Sequence, residues 1–242
     1  MSKAVREPVP CALRKAGAVA SDVLWPPRCA GCDLPGTLLC DRCRDRLPLI
    51  DRTHACSRCG APDGDRGCAE CGRSTFAFAA ARCAGVLEWP LSRMVTLHKD
   101  SAELRLTPLL ARLAADAAGE WLDWADGVAV LPASPGAYGR RGFDHGALLT
   151  AEFARIGSLP ALDILRALPR RDQRQLSRRG RADNATASIV AIPHAHVPAR
   201  VLMLDDVMTT GATLDAAAVA LLGAGARDVC AVAVARACGG RL

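Results

Sequence analysis

Apolar and polar segments alternate along the last two thirds of the chain, and this pattern predicts strands and helices in turn. Short apolar runs predict strands, and they lie at 76–89 (a strand or a hairpin), 127–132, 201–206 and 229–235. Helical patterns lie at 102–119, 143–156 and 213–224, and weaker extended segments at 162–168 and 185–192. Strands that alternate with helices predict an α/β domain with a mainly parallel sheet, whose ligands bind at the carboxyl ends of the strands.

The remainder of the chain divides into two further parts. Residues 1–25 form a predicted N-terminal helical segment, with a short amphipathic helix at 11–25 that ends before Pro26. Residues 26–75 contain few large apolar side chains and form a predicted cysteine-rich domain, followed by the α/β domain at 76–242. No run approaches the roughly 18 apolar residues of a membrane span, and the N-terminus lacks a clean signal sequence. We therefore expect a cytoplasmic protein.

Eight of the twelve cysteines form four CxxC pairs, which are Cys29/Cys32, Cys40/Cys43, Cys56/Cys59 and Cys68/Cys71. Each pair can direct two thiolates at one ion, and two pairs complete a closed structural zinc site. The sequence therefore predicts two zinc sites, with disulfides or an iron–sulfur cluster as the alternatives. The spacing leaves consecutive and interleaved combinations of the pairs both open.

Composition limits the possibilities only in part. The chain has 242 residues, of which 50% are hydrophobic, and this excludes wholesale disorder. Its formal net charge is +6. Eight thiolates and two zinc ions lower that charge by four, so the metal-bound chain carries about +2. Global charge is therefore weak evidence for a nucleic-acid partner.

The most informative string is VLMLDDVMTTGAT at 201–213. An apolar strand delivers Asp205 and Asp206 to its carboxyl end, and a short loop with Gly211 then enters a helix. The N–H groups at a helix N-terminus favour a phosphate, and adjacent carboxylates suit vicinal ribose hydroxyls, with or without a divalent ion. The alternative is an ordinary strand–turn–helix with capping threonines and solvated aspartates.

This string resembles the phosphoribosyl pyrophosphate (PRPP) binding signature of type I phosphoribosyltransferases. The resemblance implies a type I phosphoribosyltransferase-like parallel sheet flanked by helices, and Mg²⁺-PRPP as the ligand. It also implies that Asp205 and Asp206 contact the ribose hydroxyls. The 5′-phosphate would lie in a cradle formed by Thr209, Thr210, Gly211, Ala212 and Thr213.

Two upstream stretches narrow the resemblance. They are LPASPGAYGRRGFDHG at 131–146 and QRQLSRRGRADN at 173–184. Together with the cysteine-rich region they resemble the ComF family, in which a double zinc ribbon precedes a phosphoribosyltransferase-like domain. Asp144 and His145 stand where that family usually has Asn-Gln. By position, Arg140 and Arg141 are the candidates for contact with the departing pyrophosphate.

The sequence leaves two classes of function open. One is an enzyme that transfers a phosphoribosyl group. The other is a non-catalytic protein of GntX-like type, which either senses PRPP or a nucleotide or serves as a platform that binds single-stranded DNA or partner proteins. The ComF resemblance implies a role in natural transformation, with single-stranded DNA and DNA-uptake or recombination proteins as partners. Residues 166–181 contain seven arginines and one acid. That segment is compatible with a loop that closes over PRPP, with a nucleic-acid contact, or with a solvated basic loop.

Overall fold

The computed structural model describes residues 26–62, 64, 67–72, 74–133, 142–168 and 189–239. Contacts within the chain divide it into two compact units, 1–46 and 47–242, and each is described by itself. The helix predicted at 11–25 lies outside the described residues. The predicted domain boundary near residue 75 stays a prediction.

The described part of the first unit is built from tight turns. Residues Arg28 and Pro35 form an isolated antiparallel bridge, and the Cys29 N–H donates to the Leu34 carbonyl at 2.8 Å. One short helix, α1 (Asp41–Arg44), follows and carries Cys43. A segment with so little apolar surface would gain much of its stability from a metal ion bound by its cysteines.

A five-stranded parallel sheet forms the centre of the second unit. Its strands, in the order in which they pair, are β1 (Ala80–Val86), β7 (Asp228–Arg236), β6 (Arg200–Met208), β2 (Gly127–Ala129) and β3 (Ala161–Leu162). Each neighbouring pair is parallel. The order differs from the order along the chain, as parallel crossover connections require. This sheet, its flanking helices and the cysteine clusters described below confirm the predicted fold class.

The described helices of the second unit lie close to their predicted positions, except for two that were not predicted, at 91–100 and 121–124. They are α2 (Leu91–Asp100), α3 (Thr107–Ala118, after a 3₁₀ turn at Leu104–Leu106), α4 (Trp121–Trp124), α5 (His145–Gly157) and α6 (Ala212–Gly223). The prediction did not include α2. Its buried positions, Leu91, Met94, Val95 and His98, have helical spacing, but the fourth is a histidine, which a simple apolar pattern omits.

The core lies on both faces of the sheet. Val201 and Met203 of β6 belong to a buried cluster that includes α6, while the intervening Leu202 and Leu204 are buried as completely. Because successive side chains of a strand point to opposite faces, Leu202 and Leu204 face the other layer, where α3 and α5 contact the sheet. Central strands buried on both faces read as continuous apolar runs, which explains why they were recognisable in the sequence.

The mainly parallel prediction misses one feature, which is a separate antiparallel pair. Strands β4 (Leu165–Ala167) and β5 (Ile189–Ala191) pair with each other and contact α6. The segment predicted as extended at 162–168 therefore divides, with β3 in the parallel sheet and β4 outside it. The described part of the second unit, like that of the first, contains no helix long and apolar enough to cross a bilayer.

Candidate functional site

Strand β6 places the two adjacent carboxylates at the carboxyl end of the central sheet. Asp206 is 4% exposed, and Asp205 is partly buried. The strand continues to Met208, so both aspartates lie within it and not after it. Since successive side chains alternate, the two carboxylates point to different faces of the sheet and have different surroundings.

Asp206 is held by two basic side chains from helices on one face. Its Oδ2 lies 2.9 Å from Lys99 Nζ and 3.2 Å from His145 Nε2, and its Oδ1 accepts the Val207 N–H at 2.8 Å. Burial raises the pKa of the Asp206 carboxyl, but the contact with His145 and the charge of Lys99 outweigh burial and hold that pKa well below its usual range. Asp206 is therefore a buried, paired anion.

Asp205 has the opposite electrostatic character. Its Oδ1 accepts the Asp206 N–H at 2.9 Å. Burial, followed by the charge of neighbouring Asp206, raises the pKa of Asp205 to about 8. Two adjacent carboxylates therefore differ widely in acidity, and such a separation is common where carboxylates bind ligands or do chemistry. Both oxygens of Asp206, in contrast, already have partners in Lys99, His145 and the Val207 N–H.

A second histidine, His98, packs beside the His145 ring that contacts Asp206. The rings of His98 and His145 are 6.3 Å apart and nearly perpendicular, and His98 Nε2 lies 2.9 Å from Thr107 Oγ1. Burial, followed by the charge of His145, lowers the pKa of His98 and keeps it neutral. Asp144, the other departure from the ComF pattern, accepts the Ala147 N–H at 3.0 Å and caps α5. Both departures therefore have a structural role.

The loop after β6 forms a tight turn into α6. Gly211 has φ +80°, and a Cβ there would lie 2.8 Å from Met208 Cε and 3.1 Å from Phe76 Cε1. The position therefore favours glycine for its backbone conformation, and a Cβ would also force Met208 and Phe76 to shift. The Ala212 N–H is 3.3 Å from Thr210 Oγ1. The first-turn N–H groups of α6 thus stand at the carboxyl edge of the sheet, where they suit an anion.

A cavity of about 460 Å³ opens beside this loop. Thr209 and Thr210 line one side of it, and the other lining residues are Glu70, Cys71, Ser74, Phe76, Arg236, Ala237, Cys238 and Gly239. Asp215, the acid in the first turn of α6, does not line the cavity and accepts the Ala77 N–H at 2.6 Å. The loop is therefore open to a ligand.

The structure gathers the eight predicted cysteines into two consecutive sets. The first set, in the first unit, is Cys29, Cys32, Cys40 and Cys43, and the second set, in the second unit, is Cys56, Cys59, Cys68 and Cys71. Sulfur–sulfur distances within the sets include 3.6 Å for Cys29–Cys40 and 3.8 Å for Cys56–Cys71.

These distances fit a tetrahedral metal site. Four sulfurs at the Zn–S distance of about 2.3 Å stand about 3.8 Å apart in a regular tetrahedron. Disulfide sulfurs are only about 2.05 Å apart, and all eight cysteines are free thiols. Either set can therefore hold a zinc ion, whose chemistry there is structural, since four protein ligands leave no open position.

Several predicted residues lie outside the described residues. They are the pyrophosphate candidates Arg140 and Arg141 and, in the basic segment, the motif residues of 173–184. Conversely, the prediction gave no role to Lys99 or Arg236, although both contact the site. Helical spacing in 91–98 was the available signal for Lys99, and nothing in the sequence pattern pointed to Arg236.

Comparison with known proteins adds little. No protein-family model matches the chain, and no curated protein matches it. Among solved structures that match is orotate phosphoribosyltransferase from Aeropyrum pernix, which has 17% sequence identity and a TM-score of 0.34 over 60% of this chain and 76% of that chain. A likeness of that degree carries no argument for function, which must come from the site itself.

Proposed function

We propose that this protein binds Mg²⁺-PRPP as a phosphoribosyltransferase-type domain. One observation carries the proposal: two adjacent carboxylates stand at the carboxyl end of the central strand β6, directly before a glycine turn that opens α6. Ligands of parallel α/β sheets bind at this edge. The sequence of the segment, VLMLDDVMTTGAT, resembles the PRPP signature, and this resemblance supports PRPP as the ligand.

Each part of the site has a distinct role in this proposal. The cradle Thr209–Thr213 binds the 5′-phosphate with backbone N–H groups and threonine hydroxyls. Asp205 accepts hydrogen bonds from the ribose hydroxyls, and Asp206 fixes the surrounding helices and supplies fixed negative charge. Carboxylate oxygens are the donors that Mg²⁺ prefers, so Asp205 is a fitting ligand. When bound, Mg²⁺ would neutralise charge on the pyrophosphate.

The reaction class that fits this site is transfer of the phosphoribosyl group. The bond between C1′ and the pyrophosphate oxygen breaks, pyrophosphate departs with the electron pair, and a nucleophile forms the new bond to C1′. Arg140 and Arg141 are proposed to stabilise the departing pyrophosphate. Positioning and charge stabilisation supply the rate enhancement, since the proposal assigns no side-chain nucleophile.

Calorimetry with Mg²⁺-PRPP and zinc-loaded protein tests the proposal. We expect saturable binding that Asp205→Asn weakens at least tenfold. Asp228→Asn is a matched control, because it removes an exposed carboxylate at the opposite end of the adjacent strand β7. Absence of heat with the wild-type protein, or equal affinity for wild type and Asp205→Asn, would refute the proposal.

A second candidate function is the handling of single-stranded DNA during DNA uptake, with DNA-uptake or recombination proteins as partners. The ComF resemblance and the seven arginines of 166–181 support it. Gel shifts with single-stranded DNA across a salt series provide the test. Phosphate contacts give an affinity that falls steeply with salt, and neutralising Arg170, Arg171, Arg174, Arg178 and Arg179 should flatten that dependence. An unchanged salt slope contradicts this candidate.

The proposal also places the protein in a reducing compartment such as the cytoplasm. Two sets of free cysteines act as metal ligands only as thiolates, and an oxidising compartment would convert them to disulfides. A metal assay on protein purified with and without reductant tests this point. Two equivalents of zinc in reduced protein only is the expected result.

A further inference from the structure

The buried arginine at the end of β7 joins two parts of the second unit that the proposed function treats separately. Arg236 is 3% exposed. Its Nε donates to the carbonyl of Cys59, at 3.2 Å. Its Nη1 donates to the carbonyls of Met208, at 3.1 Å, and Thr209, at 2.5 Å, and also to that of Ala237. One guanidinium therefore holds a metal-ligand turn and the first residue of the phosphate cradle.

The charge of this guanidinium requires compensation. Its four hydrogen-bond acceptors are neutral carbonyls. A buried charge without an opposite charge is costly, even when it is hydrogen-bonded. Four thiolates around one Zn²⁺ carry a formal charge of about −2. With Zn²⁺ bound, the cluster next to Arg236 would supply a counter-charge for the buried guanidinium.

The cysteine turn that contacts Arg236 is fixed against the sheet. Gly60 has φ +66°, and a Cβ there would lie 2.8 Å from Cys83 Sγ on β1. The Cys83 thiol donates to the Cys59 carbonyl at 3.8 Å, and the Ala81 N–H donates to the Ser57 carbonyl at 3.1 Å. With so little space, a displacement of this turn moves the Cys59 carbonyl away from Arg236.

One further contact holds the segment after β7 against the cluster, and another joins the cluster to the cradle. The Gly239 N–H donates to a carboxylate oxygen of Glu70, next to the ligand Cys71, at 2.9 Å. Phe76, on the segment that leaves the cluster, packs against the glycine of the cradle. The cradle and the segment after β7 are therefore both held against residues that flank the second cysteine set.

We infer that Arg236 is a positioning residue that couples the metal at Cys56, Cys59, Cys68 and Cys71 to the phosphate cradle. Metal binding fixes the Cys59 turn, and the carbonyl of that turn holds Arg236. Arg236 then holds the Thr209 carbonyl away from the bound phosphate, so that the backbone N–H groups of the cradle face the phosphate. The inference rests on the proposed function. By linkage, PRPP must then raise the metal affinity by the same factor by which the metal raises PRPP affinity. We expect that gain to appear as slower metal loss.

Release of zinc to a colorimetric chelator tests the coupling in the wild-type chain, without any substitution. We expect two kinetic phases, one for each cluster, and Mg²⁺-PRPP should slow one of them about tenfold. The other phase is an internal control. Equal rates with and without PRPP, in protein that calorimetry shows to bind PRPP, overturn the inference and leave the proposed function intact. If the wild-type chain does not bind PRPP, both fall together.

Substitution of Arg236 provides the second test. Arg236→Gln should accelerate about tenfold the zinc-release phase that PRPP slows, and it should weaken PRPP affinity about tenfold. Arg236→Lys keeps the charge but not the forked geometry of the guanidinium. It should therefore restore the rate of zinc release more than the PRPP affinity. Arg200→Gln is the matched control, because Arg200 begins the neighbouring strand and pairs with Asp126 at 2.7 Å. Wild-type zinc release in Arg236→Gln contradicts the coupling.

Discussion

The ion pair that holds Asp206 allows a quantitative prediction. Replacement of Lys99 by methionine keeps the aliphatic stem and removes the charge 2.9 Å from Asp206 Oδ2. Breaking a fully buried pair costs about 3–5 kcal/mol, whereas exposed pairs contribute about 0–1 kcal/mol. The Asp206 side chain is 6% exposed and that of Lys99 is 32% exposed, and His145 remains as a partner. We therefore expect Lys99→Met to lower the free energy of unfolding by about 2 kcal/mol at pH 7.

Denaturant unfolding of the zinc-loaded protein measures this loss, and a double-mutant cycle assigns it. Asp206→Asn removes the carboxylate that Lys99→Met would leave without its lysine. In that background, Lys99→Met should therefore lower the free energy of unfolding by much less. Arg155→Met is the matched control, because its pair with Glu152 is exposed, and it should cost less than about 0.5 kcal/mol. A loss below this control, or costs that simply add in the double variant, would refute the reasoning.

The pH dependence gives an independent check of sign. In the wild-type protein the pKa of Asp206 is depressed, so its stabilisation is present above the ordinary aspartate pKa and is lost as pH falls through the lower, folded value. Without the charge of Lys99, the effect of burial on Asp206 is less well opposed, and the pKa of Asp206 in the folded protein rises. The variant then takes up its proton at a higher pH than the wild type. The difference in stability between the two proteins should therefore shrink as pH falls from 7.

Three further predictions concern the cradle, the cysteine cluster and Asp205. Gly211→Ala must place an L side chain at φ +80° with a Cβ 2.8 Å from Met208 Cε, which costs about 1–2 kcal/mol. Calorimetry should therefore show PRPP affinity about tenfold weaker. Unchanged affinity would show that the cradle tolerates a side chain. Gly60→Ala forces a contact of 2.8 Å with Cys83 Sγ, and a metal assay should find about one zinc per chain in place of two; retention of both contradicts the packing argument. Because the pKa of Asp205 is about 8, Mg²⁺-PRPP binding should strengthen as pH rises through that value. Calorimetry across the range checks this, and the same pH dependence in Asp205→Asn would assign the titration to another group.

Local patterns predicted much of the fold because they depend on neighbours in the chain. Strand β6 appears as an apolar run because both of its faces are buried, and Asp205 could be placed at its carboxyl end from that run alone. Gly211 could be assigned to a turn because it precedes a helical pattern. The cysteine spacing likewise predicted paired ligands, since two residues separated by a short turn necessarily converge.

The partners of these residues could not be predicted in the same way. Lys99 reaches Asp206 from a helix whose fourth buried position is a histidine, so the apolar pattern concealed the element itself. His145 was visible only as a departure from a family pattern, and its contact with Asp206 depends on where α5 crosses the sheet. Arg236 follows an apolar strand like many arginines that end in solvent, and only the fold around it shows that it is buried.

The sequence by itself determined the class of the domain, the acidic pair, the glycine turn and the two-by-two grouping of cysteines, because periodicity and short spacing are properties of contiguous residues. Tertiary structure alone decided which cysteine pairs share a site, which aspartate is paired with a lysine, and which arginine joins the cysteine cluster to the cradle. These contacts depend on the strand order β1–β7–β6–β2–β3, which brings distant segments together. Crossover connections set that order, and no local pattern records it.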